Sequence, residues 1–252
     1  MKKLFLAILS LSLAFTACKK TDNNNNNNNN NATPAPAPQP SFGSGDGGLV
    51  AIRTITTSTV AGFSTTLELG TAVALFGDLT NQNYVNGGNV DLNTKALTLN
   101  ANNTYAFIPS QTDLTGIDFS SGNIIWNVSG HNGNGVPSFT YDASSQGMPT
   151  SADLDIPASI DANNDYTLKV KGNINNSDSV YFQIVGTNGT ILLKRLAGNT
   201  SSATFTSAEL KTLGTGMGSM CICPWNVGSK SFGGKKIYSV NELALTSLIE
   251  IK

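Results

Sequence analysis

Cys221-Ile222-Cys223 is the most unusual local feature of this 252-residue chain. In an extended strand, residues i and i+2 point to the same side, so both thiols would share one face. Such a pair could bind a soft metal, act as a redox couple, or lie buried as two small apolar groups. A direct bridge is awkward: strand Cα atoms two residues apart stand about 6.6 Å from each other, near the limit for a disulfide, with parallel Cβ vectors. A metal would need two more ligands, and His131 is the one imidazole in the chain. The expectation is a buried, non-catalytic pair, and no cofactor is implied.

Oxygen ligands alternate in Asp161-Ala162-Asn163-Asn164-Asp165, the spacing that opens a calcium loop. Tyr166 stands where that loop needs glycine, and Gly172 where it needs a bidentate glutamate. Asp161, Asn163 and Asp165 are therefore a weak calcium candidate, and an Asx-rich turn is the favoured reading. Trp225 and Asn226 place a stacking ring beside an amide, the minimum for glycan contact, and Trp225, following Pro224, is expected to be partly exposed. Trp126 lies in an apolar run and is expected in the core. Hydrolytic chemistry is poorly supplied, with one His, four Glu and no G-x-S-x-G elbow. Asp153, Asp155 and Glu242 could furnish a glycosidase pair, but no spacing selects among them. The chain reads as a non-enzyme.

Charge agrees with that reading. There are 15 basic and 16 acidic residues, and only 12% of the chain is charged, so nothing points to nucleic acid. Lys2 and Lys3 precede an apolar run over 4–15, too short for a bilayer span of about twenty residues but of the length of a secretory signal. The run ends in Phe15-Thr16-Ala17-Cys18. Small residues before a cysteine at this place resemble the lipobox of bacterial lipoproteins, with Phe15 departing from the commonest Leu. The resemblance implies cleavage after a 1–17 signal peptide, lipidation of Cys18 and attachment to the membrane by acyl chains. In that family an Asp beside the cysteine retains the protein at the inner membrane. Lys19 stands there, which implies the outer membrane, and the Lys/Asp stretch with Asp22 resembles the surface-export signals of Bacteroidetes lipoproteins, favouring the outward over the periplasmic leaflet.

Residues 18–48 read as a disordered tether: nine consecutive Asn at 23–31, alternating Pro at 34–40, then a Gly/Ser hinge. β signals begin at Leu49, with Val50, Ile52, Thr54 and Thr56 on one face. Short strand candidates recur about every ten residues: 65–69, 72–76, 96–100, 105–108, 124–128, 138–141, 166–170, 180–185, 191–196, 202–205, 217–223, 236–240 and 244–251. Asn188-Gly189 and Gly233-Gly234 mark hairpins. One helix is expected at 206–213, opened by a Thr206/Glu209 capping box. This pattern predicts an all-β chain of one or two Ig-like antiparallel β-sandwich units. The Gly-rich stretch 130–135 is the strongest breaker and suggests modules at 49–130 and 131–252.

Trp126-Asn127-Val128-Ser129-Gly130, Phe205-Thr206-Ser207-Ala208-Glu209-Leu210 and Gly233-Gly234-Lys235-Lys236-Ile237-Tyr238 resemble the C-terminal region of Bacteroidetes surface lipoproteins, which implies a surface address and a β fold but no chemistry. Asp178-Ser179-Val180 resembles the O-glycosylation acceptor pattern of the same bacteria, with Ser179 as acceptor. The expected role is a structural, adhesive or accessory interaction module, with an envelope protein or a glycan as partner.

Overall fold

The computed structural model describes residues 45–60, 63–110, 113–114 and 116–252. The signal segment 1–17, Cys18 and the tether up to residue 44 lie outside them. The first half contains β1 (Gly47–Val60), β2 (Phe63–Asp78), β3 (Asn83–Tyr84), β4 (Val90–Leu92), β5 (Lys95–Ala96), β6 (Thr98–Leu99), β7 (Tyr105–Phe107), β8 (Ile125–Val128) and β9 (Phe139–Asp142). There follow β10 (Thr150–Ser151), β11 (Ser159–Ile160), β12 (Tyr166–Lys169), β13 (Ile174–Asn175), β14 (Ser179–Val185), β15 (Ile191–Ala197), β16 (Ser202–Phe205), the short helix α1 (Ser207–Leu210), β17 (Gly216–Phe232) and β18 (Lys235–Ile251). The chain is all-β and sandwich-like, as its period-two pattern predicts.

One large sheet organises the rest, in the order β15-β14-β17-β18-β1-β2-β7-β6, with β11 beside β18 and β3 beside β2. Two long hairpins, β1–β2 and β17–β18, form its centre. The second turns through Gly233 and Gly234, both with positive φ (54° and 78°), the pair of left-handed residues that a type I′ turn requires. The sheet is not wholly antiparallel: β1 joins β18 in parallel, from Gly47↔Ile237 to Thr56↔Thr246. The strand begins two residues before Leu49, the expected start of the β signals. Asp46 holds it there, accepting from the Lys236 amide at 2.9 Å and from Lys235 Nζ at 3.0 Å.

Register divides this sheet's side chains into two sets. One face carries two hydrophobic cores. Leu49, Phe76, Tyr105 and Ile237 pack with Trp126, Phe139 and Tyr141 from the small β5-β4-β8-β9 sheet. Phe182, Ile222, Leu245 and Ile251 pack with Leu168, Phe205 and Leu210 from the β12–β16 pair and α1. The stretch 130–135 does not separate these cores. It is the tip of the β8–β9 hairpin, closed by a His131↔Val136 bridge, and Val136, Phe139, Tyr141 and Ala143 after it still belong to the first core. The strands β17 and β18 run through both.

Between the cores lies a polar seam. Asn226 Nδ2 donates to the carbonyls of Gln146, Gly147 and Asn176 at 3.1–3.2 Å, while Gln146 Nε2 donates to Asn226 Oδ1 at 2.7 Å. Asn241 Nδ2 donates to the Gly147 carbonyl at 2.9 Å. These bonds pin the loop after β9 to the sheet. Asn226→Ala strands several of these groups out of reach of water, so it is expected to lower stability by about 2–3 kcal/mol. The check is the urea midpoint; a shift no larger than that of an exposed Asn→Ala control refutes it.

Candidate functional site

The opposite face of the large sheet holds the chain's unusual chemistry. Cys221, Cys223 and Trp225 alternate along β17, and Gln183, Tyr181 and Ser179 of β14 stand directly across from them. All three β17 side chains are buried, yet none belongs to either core. The thiols are free, and their sulfurs lie 2.7 Å apart. Burial of both is as expected. Their convergence is not, because a regular pleat keeps such side chains parallel.

From the other neighbour, β18, comes Glu242, opposite Trp225 and diagonal to Cys223. The strand register puts its carboxyl on the same face as the Cys223 thiol. Burial pushes the Glu242 carboxyl up to about 7, and the nearby Cys223 thiol draws it part of the way back. The Cys223 thiol is itself pushed up, by its hydrogen bond with Cys221 and by burial. A carboxyl that keeps its proton to higher pH in the folded chain than in the unfolded one binds more protons when folded. The stability this adds is present below the ordinary carboxyl range and is lost as pH rises through about 7. Glu68 and Asp113, held low by Arg53 and Lys95, titrate well below this window. Wild type is therefore expected to lose stability between about pH 5 and about pH 8, and Glu242→Gln to lose less. Urea titrations at the two pH values decide it; equal slopes for both proteins refute it.

Beside the thiols, Tyr181 stacks on Trp225 with centroids 5.9 Å apart, and the Arg195 guanidinium of β15 sits 5.0 Å above the Tyr181 ring. Trp225 Nε1 and Arg195 Nε are buried donors with no acceptor among the described residues. Sequence alternation singles out 221, 223 and 225 as a set. Glu242, Tyr181 and Arg195 carry no such signal, because only the cross-strand register brings them in.

The other sequence candidates are placed elsewhere. Trp225 is 2% exposed and not the partly exposed ring expected, with the Tyr181 ring of the neighbouring β14 stacked on it. Asn226, its neighbour, faces the opposite way into the polar seam. The two cannot form one glycan platform. Ser179 is fully buried on an interior strand, out of reach as a glycosylation acceptor. Trp126 lies in the first core as expected.

In the calcium candidate, the Asp161 carboxylate accepts from the Asn163 amide and from Asn163 and Asn164 side chains, and Asp165 accepts from the Ser207 amide at 2.8 Å. Asp161 is an Asx turn and Asp165 a support for α1, not ligands converging on a cation. Among the described residues no three His, Cys, Asp or Glu side chains converge to hold a metal. Asp155 is paired with Lys169 at 3.2 Å, remote in the fold from Glu242's face. A depression of about 190 Å³ beside Asn163 and Leu210 is smaller than the roughly 300–1,000 Å³ of small-molecule sites.

The second feature of this region is the sheet's edge. Among the described residues β15 ends the strand order, and it presents Ile191 at 50% and Leu193 at 46% exposure on the face of Arg195. No protein-family model matches this chain, and no curated protein matches its sequence.

Proposed function

We propose that this chain is a lipid-anchored protein of the bacterial cell envelope whose β-sandwich acts as a structural, adhesive or accessory interaction module, not as an enzyme. The observation that carries the interaction role is the β15 edge. A terminal strand offers a row of backbone donors and acceptors to an incoming strand, and Ile191 and Leu193 supply apolar contacts beside it. Phe15-Thr16-Ala17-Cys18 supports the anchor, Lys19 the outer membrane, and the Asn- and Pro-rich stretch a spacer that holds the sandwich away from the bilayer. An outward-facing partner, an envelope protein adding a strand to β15, fits this arrangement. A glycan-binding role is the second reading, and burial of Trp225 weighs against it.

Two measurements test the proposal. Labelled palmitate is expected in wild type and absent in Cys18→Ser, with the mature N-terminus at Cys18; any other mature N-terminus refutes the anchor. Leu193→Asp, at an exposed site, is expected to leave the circular dichroism unchanged. It should reduce cross-linking to an envelope protein on intact cells by about tenfold or more. A positive glycan array that survives Leu193→Asp would replace the edge with the glycan reading.

A further inference from the structure

We propose that Cys221 and Cys223 are a redox-active dithiol, which an organic disulfide converts to an intrastrand disulfide while Glu242 receives the Cys223 proton. The first support is proximity: two free thiols with sulfurs 2.7 Å apart need almost no movement to meet. The second is what brings them together. β17 stays paired to β14 throughout, Tyr181↔Cys223 and Val180↔Pro224 included. Its pairing to β18 lapses after Ile222↔Leu245 and resumes at Trp225↔Glu242. Pro224 falls in that gap and has no N–H to give. The strand is thus clamped on one side and released on the other, so its pleat at Cys223 can depart from the flat geometry that holds i and i+2 side chains parallel. The third is the carboxyl itself, which the β17–β18 register sets on the thiols' face, opposite Trp225 and diagonal to Cys223. The other ionisable side chains on this face nearby are Tyr181 of β14 and Arg195 of β15, and β1 presents Ile52 opposite Glu242. Among the described residues no three His, Cys, Asp or Glu side chains converge to hold a metal, the two thiols and Glu242 included.

The exchange balances as follows. The Cys223 sulfur attacks one sulfur of an organic disulfide R–S–S–R as its proton passes to the Glu242 carboxylate. The oxidant's S–S bond breaks and the departing RS⁻ takes that proton from Glu242. The Cys221 sulfur then attacks Cys223 in the mixed disulfide, the bond to RS breaks, and the second RS⁻ leaves with the Cys221 proton. Two protein thiols are oxidised and one organic disulfide is reduced to two thiols. Closing this ring changes no pairing between β17 and β14, so it is compatible with the folded sheet.

The test uses the full chain, reduced and folded, with oxidised glutathione as the disulfide. After acid quench and alkylation, peptide mapping reads the 221–223 peptide separately from Cys18. The expected result is a peptide that has lost two hydrogens and resists alkylation. Cys221→Ser should retain a glutathione adduct on Cys223, and Cys223→Ser, which lacks the attacking thiol, should form an adduct about tenfold or more slowly. Glu242→Gln should close about tenfold or more slowly when folded, yet at the wild-type rate in urea, which separates a proton acceptor from a folding defect. Three results overturn the proposal: a wild-type pair that stays reduced while the protein is folded, one that stops at a stable glutathione adduct, or one that closes only after unfolding. A folded Glu242→Gln protein that closes at the wild-type rate removes Glu242 from it.

Discussion

Phe182→Ala is expected to lower stability by about 3–5 kcal/mol and to loosen both ends of the molecule together. Phe182 is fully buried in the second core, where β14 lays it against the β17–β18 hairpin. Truncation removes the transfer free energy of a phenyl ring and leaves a cavity floored by the interior strands β14, β17 and β18, whose pairing on both sides resists collapse into it. The damage should not stay local. β18 gives Ile237 to the first core and Leu243, Leu245, Ile249 and Ile251 to the second, while β17 gives Phe232 to one and Met220 and Ile222 to the other. A strand cannot leave one core while remaining registered through the other. Urea unfolding should therefore remain a single transition at a lower midpoint, and amide exchange in β8 and β9, in the first core, should accelerate with it. Two separated transitions, with only one moved by Phe182→Ala, would show that the cores unfold independently.

Gly198→Ala is the second large effect, about 3 kcal/mol, with a specific consequence for the edge strand. A Cβ on Gly198 would run into the Ser177 carbonyl oxygen, and that oxygen belongs to backbone that cannot rotate away. Gly198 also donates its amide to the Asp178 carbonyl at 3.0 Å. Asp178 in turn binds β17 through its own amide to Trp225 O and its carboxylate to the Val227 amide. Pushing Gly198 out thus strains the junction where β15 ends, β14 begins and β17 passes. We expect loss of stability together with faster amide exchange along β15, and weakened partner capture if β15 is the docking edge. Gly48→Ala, where the φ is not positive and an added Cβ would meet only Leu79 Cδ1 at 3.8 Å, serves as the comparison for glycine replacement without a clash. Equal losses in the two variants would contradict the steric argument.

Much of the secondary structure was legible because it rests on local rules. Thr206 and Glu209 do form a capping box, with the Thr206 amide donating to Glu209 Oε2 at 2.7 Å and the Glu209 amide to Thr206 Oγ1 at 3.3 Å. The helix it opens is shorter than expected, passing after Leu210 into a 3₁₀ turn. Asn188-Gly189 does join two strands, though through a longer loop than a two-residue turn: Gly186 N bonds to Thr190 O at 2.8 Å, and Gly189 takes φ 81°. The hairpin β17–β18 was legible only in pieces. Pro224, Asn226, Ser239 and Asn241 look like interruptions in a sequence, yet the last three are buried polar groups within continuous strands. Local polarity cannot distinguish a loop amide from one satisfied in a seam between two cores.

What the sequence by itself determined is most of the longer strands, the alternation that splits each into two faces, and the turns and cap. All follow from interactions within a few residues. Only the tertiary structure decided which face of β17 meets which partner. The parallel union of β1 and β18 links positions about 190 residues apart, and the register of β14 and β18 against β17 buries Trp225, hides Ser179 and sets Glu242 beside Cys223. A one-residue slip would reverse every one of those placements, because strand side chains alternate with period two. The choice between registers is made by cores assembled from distant segments, which no local window of the chain contains.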